Sequence, residues 1–261
     1  MKSKIYVSFV VLIVAMLLVT PALAITFGEP DDNEHPNVGA LIVPPVGPDG
    51  LVCSGTLVAP NVFLTAAHCV AWMPYEGIPA DGVFVTFDSV IEESGTFYPG
   101  TYHLNPKFGH DFGDLHDVAV IVLDDPITSI IPAELPSAGL LDDMKDANEL
   151  KKQAFVTVGY GRVRDDKTGG WQAFEGFGER RYANQTYNAL TKSWLKLSMN
   201  PSTGDGGTCY GDSGGPHFLA DSNKVVSVTV TGDRYCRATD VTYRIDTDSA
   251  RSYLESFVDL P

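Results

Sequence analysis

Positive charge is scarce in this chain. It holds 18 lysines and arginines against 33 acids in 261 residues, a formal net charge of −15. A phosphate binder needs clustered Lys and Arg to displace counterions, and no basic stripe is present, so nucleic acid and anionic membrane are not expected partners. Cysteine is also sparse, with only Cys53, Cys69, Cys209 and Cys236 and no C-x-x-C pair. That spacing disfavours a zinc site, and no loop has the ligand pattern of an EF-hand, so neither metal nor cofactor is expected. Internal repeats and low-complexity tracts are missing as well, while 44% of the residues are hydrophobic, which suffices for a sizeable core.

Long apolar runs are absent except for one, Ile5 to Val19, preceded by Lys2 and Lys4 and followed by Ala22-Leu23-Ala24. A positive start, an apolar centre and a small-x-small end predict a removed secretory signal over residues 1–24. The mature chain is then residues 25–261, more acidic still because the signal carries two lysines and no acid. It is expected to be secreted to an extracellular or periplasmic space, without stable membrane association and as a monomer. The four cysteines all lie in the exported part, where an oxidising compartment favours disulfides. Three pairings are open. Pairing neighbours in sequence would close two short loops, each stabilising by about 3 kcal/mol in the chain-entropy account.

Helical periodicity is limited to "LLDDMKDANELKKQ" and to a terminal piece at about 248–259. Short apolar or alternating runs bounded by turn residues recur instead, as in "GALIVPPV", "GTLVAP", "GVFVTF", "DVAVIVL", "AFVTVGYG", "SWLKLSM" and "KVVSVTVTG". Such runs predict strands at sandwich or barrel spacing. The acidic stretch at about 136–153 separates two strand-rich halves, so the expected fold is all-β.

Three stretches carry chemistry. "LTAAHCV" sets His68 beside Cys69, "LHDVAVIVL" puts Asp117 at the mouth of an apolar strand, and "CYGDSGGP" surrounds Ser213 with glycines. A serine hydroxyl is a poor nucleophile until a base takes its proton, and an imidazole titrates near working pH. A carboxylate on the far ring nitrogen fixes the tautomer, and free backbone amides bind the developing oxyanion. Asp111 and Asp114 are alternative acids, read as surface residues. His103, His110, Asp111, Asp114 and His116 also invite a metal reading, but their spacing fits no helical pair.

With "TAAHC", "HDVAVI" and "GDSGGP" in that order, the sequence resembles the trypsin/chymotrypsin-like serine proteases along nearly all of the mature chain. The resemblance implies two six-stranded antiparallel β-barrels at about 25–135 and 150–246, an active site between them and a closing C-terminal helix. It implies a serine endopeptidase acting on proteins or peptides, with Ser213 as nucleophile, His68 as general base and acid, Asp117 as the orienting acid, and the amides of Gly211 and Ser213 as oxyanion hole. It also pairs Cys53 with Cys69 and Cys209 with Cys236. Tyr160 departs mildly from the family's usual tryptophan in "VTVGYG".

By the same pattern the primary pocket has Gly207 at its base beside Thr208, Gly232 on one wall and Asp240 on the other. Glycine at the base with a facing aspartate resembles the broad-specificity brachyurin-type members, which implies a basic or mixed preference. "RVRDDKTGGWQAFEGFGERRYANQTYN" is read as a long polar loop exposing Arg180-Arg181 to self-cleavage, with a glycosylation sequon at Asn184. Finally, Ile25 follows Ala24 directly. Family members expose an Ile or Val terminus whose ammonium pairs with the aspartate before the nucleophile, here Asp212. The expectation is that signal removal itself creates that activating end.

Overall fold

The structure, a computed structural model, describes residues 25–111, 113–164, 174 and 176–261. The expected signal at 1–24 and the centre of the loop after residue 164 lie outside the described residues. A two-residue strand, β1 (Glu29–Pro30), precedes six that close into a barrel: β2 (Val38–Ile42), β3 (Leu51–Ala59), β4 (Val62–Thr65), β5 (Val83–Thr86), β6 (Tyr98–Leu104) and β7 (Ala119–Leu123). Their order is β2-β3-β4-β7-β6-β5. The second barrel contains β8 (Ala154–Gly159), β9 (Arg181–Leu190), β10 (Trp194–Ser198), β11 (Pro216–Leu219), β12 (Val225–Gly232) and β13 (Thr239–Arg244). The sheet runs β1-β9-β10-β13-β12-β11-β8 and closes where β8 pairs with β9. The expected all-β pair of six-stranded antiparallel barrels is therefore observed.

Alternation on the strands builds the cores. Leu41, Leu57, Phe63, Val85 and Ile121 fill the first barrel, and Phe155, Leu195, Leu197 and Val226 fill the second, all fully buried. Each such side chain contributes about 1.5–3 kcal/mol through removal from water. A third cluster spans both barrels, joining Val38, Leu64 and Val120 to Val158, Phe218, Val228 and Tyr243. The cleft between the barrels thus has a solid apolar floor. Helix α1 (Leu140–Asp146) lies in the connection, and α2 (Asp248–Leu254) is capped by Thr247, whose hydroxyl accepts the Ala250 N–H at 3.2 Å. Past Leu254 the chain continues in turns, so the terminal helix is shorter than its apolar periodicity suggests.

The amino-terminal segment crosses to the second barrel, where Glu29 pairs with Tyr182 and Pro30 with Arg181. This crossing corrects the expectation for Arg180-Arg181, since both arginines are buried. The Arg180 guanidinium donates to Asp31 Oδ2 at 2.7 Å, Asn33 Oδ1 at 2.6 Å, and the Val38 and Phe87 carbonyls at 3.1 and 2.8 Å. It also reaches the Tyr160 hydroxyl at 3.1 Å, which itself donates to the Asp88 carbonyl at 2.8 Å. Tyrosine at this position therefore ties the barrels to the amino-terminal segment. Burial raises the Asp31 pKa, but bonds from His35 and Arg180 outweigh it and hold the carboxyl below its usual range. Arg180→Ala should strand the buried carboxylate of Asp31 and cost about 3–5 kcal/mol, read as a lower urea midpoint. An unchanged midpoint would contradict that accounting.

Candidate active site

His68 sits in a short 3-10 turn, Ala67–Cys69, directly after β4. The Cys53–Cys69 disulfide staples this turn to β3, and Cys209–Cys236 staples the serine loop to the segment before β13. Both pairings are those implied by the family resemblance. Asp117 lies two residues before β7 and is buried. One of its oxygens accepts the His68 backbone N–H at 2.9 Å and the other meets His68 Nδ1 at 2.9 Å. Because the carboxylate is the acceptor, Nδ1 carries the proton and Nε2 presents its lone pair. The imidazole is half-buried, so it is held on one side and open on the other.

The alternative acids are engaged elsewhere. Asp111 is exposed and accepts the Gly113 N–H at 2.7 Å. Asp114, expected at the surface, is buried and accepts the Tyr243 hydroxyl at 2.7 Å, because β13 passes directly over it. His116 Nδ1 meets Ser249 Oγ at 2.7 Å, and His103 stacks near Phe257. Four residues of the metal reading, His103, Asp111, Asp114 and His116, thus make separate contacts.

The Ser213 loop packs against the part of the first barrel that carries His68. The Ser213 carbonyl accepts the Ser54 N–H from β3 at 2.8 Å, next to the disulfide that holds His68. Gly214, at φ 78°, brings the loop so near β4 that a methyl there would lie 2.7 Å from the Ala66 nitrogen and collide with Thr65 Oγ1. Only glycine suits both the left-handed backbone and that approach. Among the described residues no hydrogen bond joins Ser213 Oγ to the imidazole, a contact that often tightens only with substrate bound. The N–H groups of Gly211 and Ser213 have no backbone acceptor among the described residues, while the Asp212, Gly214 and Gly215 amides are all bonded.

Asp212 is completely buried, with one oxygen accepting the Gly161 N–H and the other the Cys209 N–H, both at 2.8 Å. Burial pushes its carboxyl up to about 7, against these two bonds and with a further push from Asp240. Ile25 is also buried, and Thr26 next to it exchanges both backbone hydrogen bonds with Gly207, at 3.0 and 2.9 Å.

Beside Ser213 opens a cavity of about 150 Å³, lined among others by Thr208, Tyr210, Thr229, Gly232 and Cys236. A larger cavity of about 470 Å³ between β6 and α2 contains none of His68, Asp117 or Ser213. Of the four residues expected at the primary pocket, Thr208 and Gly232 line this cavity, whereas Gly207 and Asp240 do not. A methyl on Gly207 would collide with Met199 Cγ and Sδ, so a neighbouring side chain occupies that base. Asp240 is fully buried behind Thr208, whose hydroxyl donates to Asp240 Oδ2 at 2.8 Å. Gln185 and His217, not singled out as site residues, stand beside it. Burial lowers the His217 pKa against the pull of Asp240.

Two β-barrels with a glycine-flanked serine loop packed beside the strands that carry a carboxylate-held imidazole define the double-barrel serine hydrolases. Within that class the chain belongs to the trypsin family, whose model, described as Trypsin, matches residues 28–253. A trypsin of Saccharopolyspora erythraea is 31% identical over 214 residues, spanning 78% of this chain and 85% of the relative. A brachyurin of Leptuca pugilator is 27% identical over 189 residues, 70% of this chain and 76% of the relative. The solved structure of HL collagenase covers 93% of this chain and 100% of its own at 19% identity with a TM-score of 0.63, a likeness of fold. Family membership makes this protein a serine-type endopeptidase acting on protein or peptide substrates. Among the described residues no helix is long and apolar enough to cross a membrane.

Proposed function

We propose that the protein is a secreted endopeptidase working through an acyl-enzyme, with Ser213, His68 and Asp117 as its catalytic residues. The observation that carries this reading is the pair of 2.9 Å bonds from Asp117, which hold the His68 ring by Nδ1 and leave Nε2 as its basic nitrogen. His68 Nε2 takes the Ser213 proton as Oγ attacks the scissile carbonyl carbon, and the oxyanion is received by the Gly211 and Ser213 amides. The imidazolium then gives that proton to the leaving amine. Water, deprotonated by the same imidazole, attacks the ester carbonyl to release the acid and regenerate Ser213. Export rests on the apolar run Ile5 to Val19 with the cleavage motif ending at Ala24, and on the two disulfides, which suit an oxidising compartment. Cleavage after Ala24 would free Ile25, whose ammonium pairs with buried Asp212 and orders the oxyanion hole.

The primary pocket is read as mixed, taking apolar side chains and also Lys or Arg. The acid assigned to the basic component is Asp240, which lies buried behind Thr208 and not on the pocket surface, and the similarity to a brachyurin is in keeping with that assignment. Incubation of the processed protein with a mixed peptide library, followed by sequencing of new ends, should show cleavage after both classes. A flat profile would reject the pocket assignment, and no new ends at all would reject the endopeptidase reading.

A further inference from the structure

Met199 directly follows β10, its N–H bonded to the Ala238 carbonyl at 3.0 Å, and is almost fully buried. Its Cγ and Sδ fill the space a side chain on Gly207 would need, and its Cε lies 3.4 Å from where a methyl on Gly232 would stand. The thioether therefore stretches from Gly207 toward Gly232, which lines the cavity beside Ser213, and lies behind that wall.

A polar chain lies behind it. His217 Nδ1 and Gln185 Oε1 are 2.9 Å apart, Gln185 Nε2 and Asp240 Oδ2 3.0 Å, and His217 Nε2 and Thr229 Oγ1 2.9 Å. Because the Gln185 amide nitrogen donates to the carboxylate, its oxygen must accept from His217, so Nδ1 carries the histidine's proton and Nε2 accepts from Thr229. All four side chains are buried, and the chain of donors saturates only one oxygen of Asp240. Asp240 Oδ1 is buried with no hydrogen-bond partner among the described residues. An unmatched carboxylate oxygen in such a place is costly and favours a cation that reaches it.

We propose that Met199 is the movable floor of the primary pocket and sets the balance between apolar and basic substrate side chains, an inference that rests on reading this cavity as the pocket for the residue cleaved. With the thioether in place the pocket ends in an apolar surface suited to mid-sized apolar side chains. Methionine is unbranched with three rotatable bonds, so it can swing aside and let a Lys or Arg reach Asp240 Oδ1. The same contact explains why position 207 is glycine, since an aspartate there would occupy the place of Met199.

The test compares kcat/KM for peptides differing only in Arg or Leu at the cleaved position. In Met199→Ala the Arg-to-Leu ratio should rise about ten- to a hundredfold, a range typical of reshaped pockets. Adding Asp240→Asn should remove that gain. Met199→Leu, close in volume but branched and stiffer, should keep the fold and lower the ratio. Fluorophosphonate labelling of Ser213 counts active sites in every variant. Fully labelled variants with ratios within twofold of the parent would overturn the role of Met199 while leaving the protease reading intact. Failure of the parent itself to label or cleave would overturn both.

Discussion

Replacing Ser213 by alanine is expected to lower kcat by about 10⁶-fold and to abolish fluorophosphonate labelling, with the melting temperature nearly unchanged. The small structural cost follows from the position of the side chain, which is half-buried and makes no hydrogen bond among the described residues, whereas the loop is held by backbone contacts to Ser54 and Thr229 and by the Cys209–Cys236 disulfide. The large kinetic cost follows from the chemistry, since without Oγ no acyl-enzyme forms. His68→Ala should be nearly as damaging, and the double variant little worse than either alone, because base and nucleophile act as one unit. Labelling that survives in Ser213→Ala would place the nucleophile elsewhere. A double variant far slower than both singles would mean that the two residues act independently.

The parts of the site that were legible in the sequence are those in which chemistry and neighbouring residues coincide. His68 adjoins a disulfide cysteine, Asp117 opens an apolar strand and Ser213 sits among glycines, so each announces its role locally. Strands such as β3 and β7 were visible for a similar reason, since inward apolar residues recur along them. β9 was not visible. Its inward positions are Arg181, Ala183 and Gln185, and two of the three are polar, so hydropathy shows no alternation and the segment reads as loop. Gln185 is buried because its partners, Asp240 and His217, come from distant parts of the chain, as Arg180 draws on Asp31, Val38 and Phe87. Met199 was missed on the same ground. Its place behind the pocket wall depends on Gly207 and Gly232, and only the folded barrel brings the three together.

A single extra residue before Ile25 is expected to lower kcat/KM by about 10²- to 10⁴-fold in a protein that folds and melts normally. The physical reason is the state of Asp212, which is fully buried, takes two backbone N–H bonds and has no cation beside it among the described residues. In the uncut chain its carboxyl is pushed up to about 7 from an ordinary value of 3.8, mainly by burial. Folding then takes up a proton between those two values, so the stability of the uncut form falls as pH rises from about 4 to 7 and levels off above. Releasing Ile25 supplies an ammonium, whose free pKa is about 7.7–8.0, within the same buried region. Pairing lowers the carboxyl, raises the amine and removes that neutral-pH penalty. Activity of the processed enzyme should therefore persist through neutral pH and decline at alkaline pH as the Ile25 amine loses its proton. Removing one partner of a buried ion pair costs about 3–5 kcal/mol, and that cost sets the predicted loss on extension. Asp212→Asn should reproduce it and abolish the alkaline decline linked to Ile25. Full activity in material whose terminus, read by mass spectrometry, lies anywhere but Ile25 would show that the serine loop orders itself without this pair.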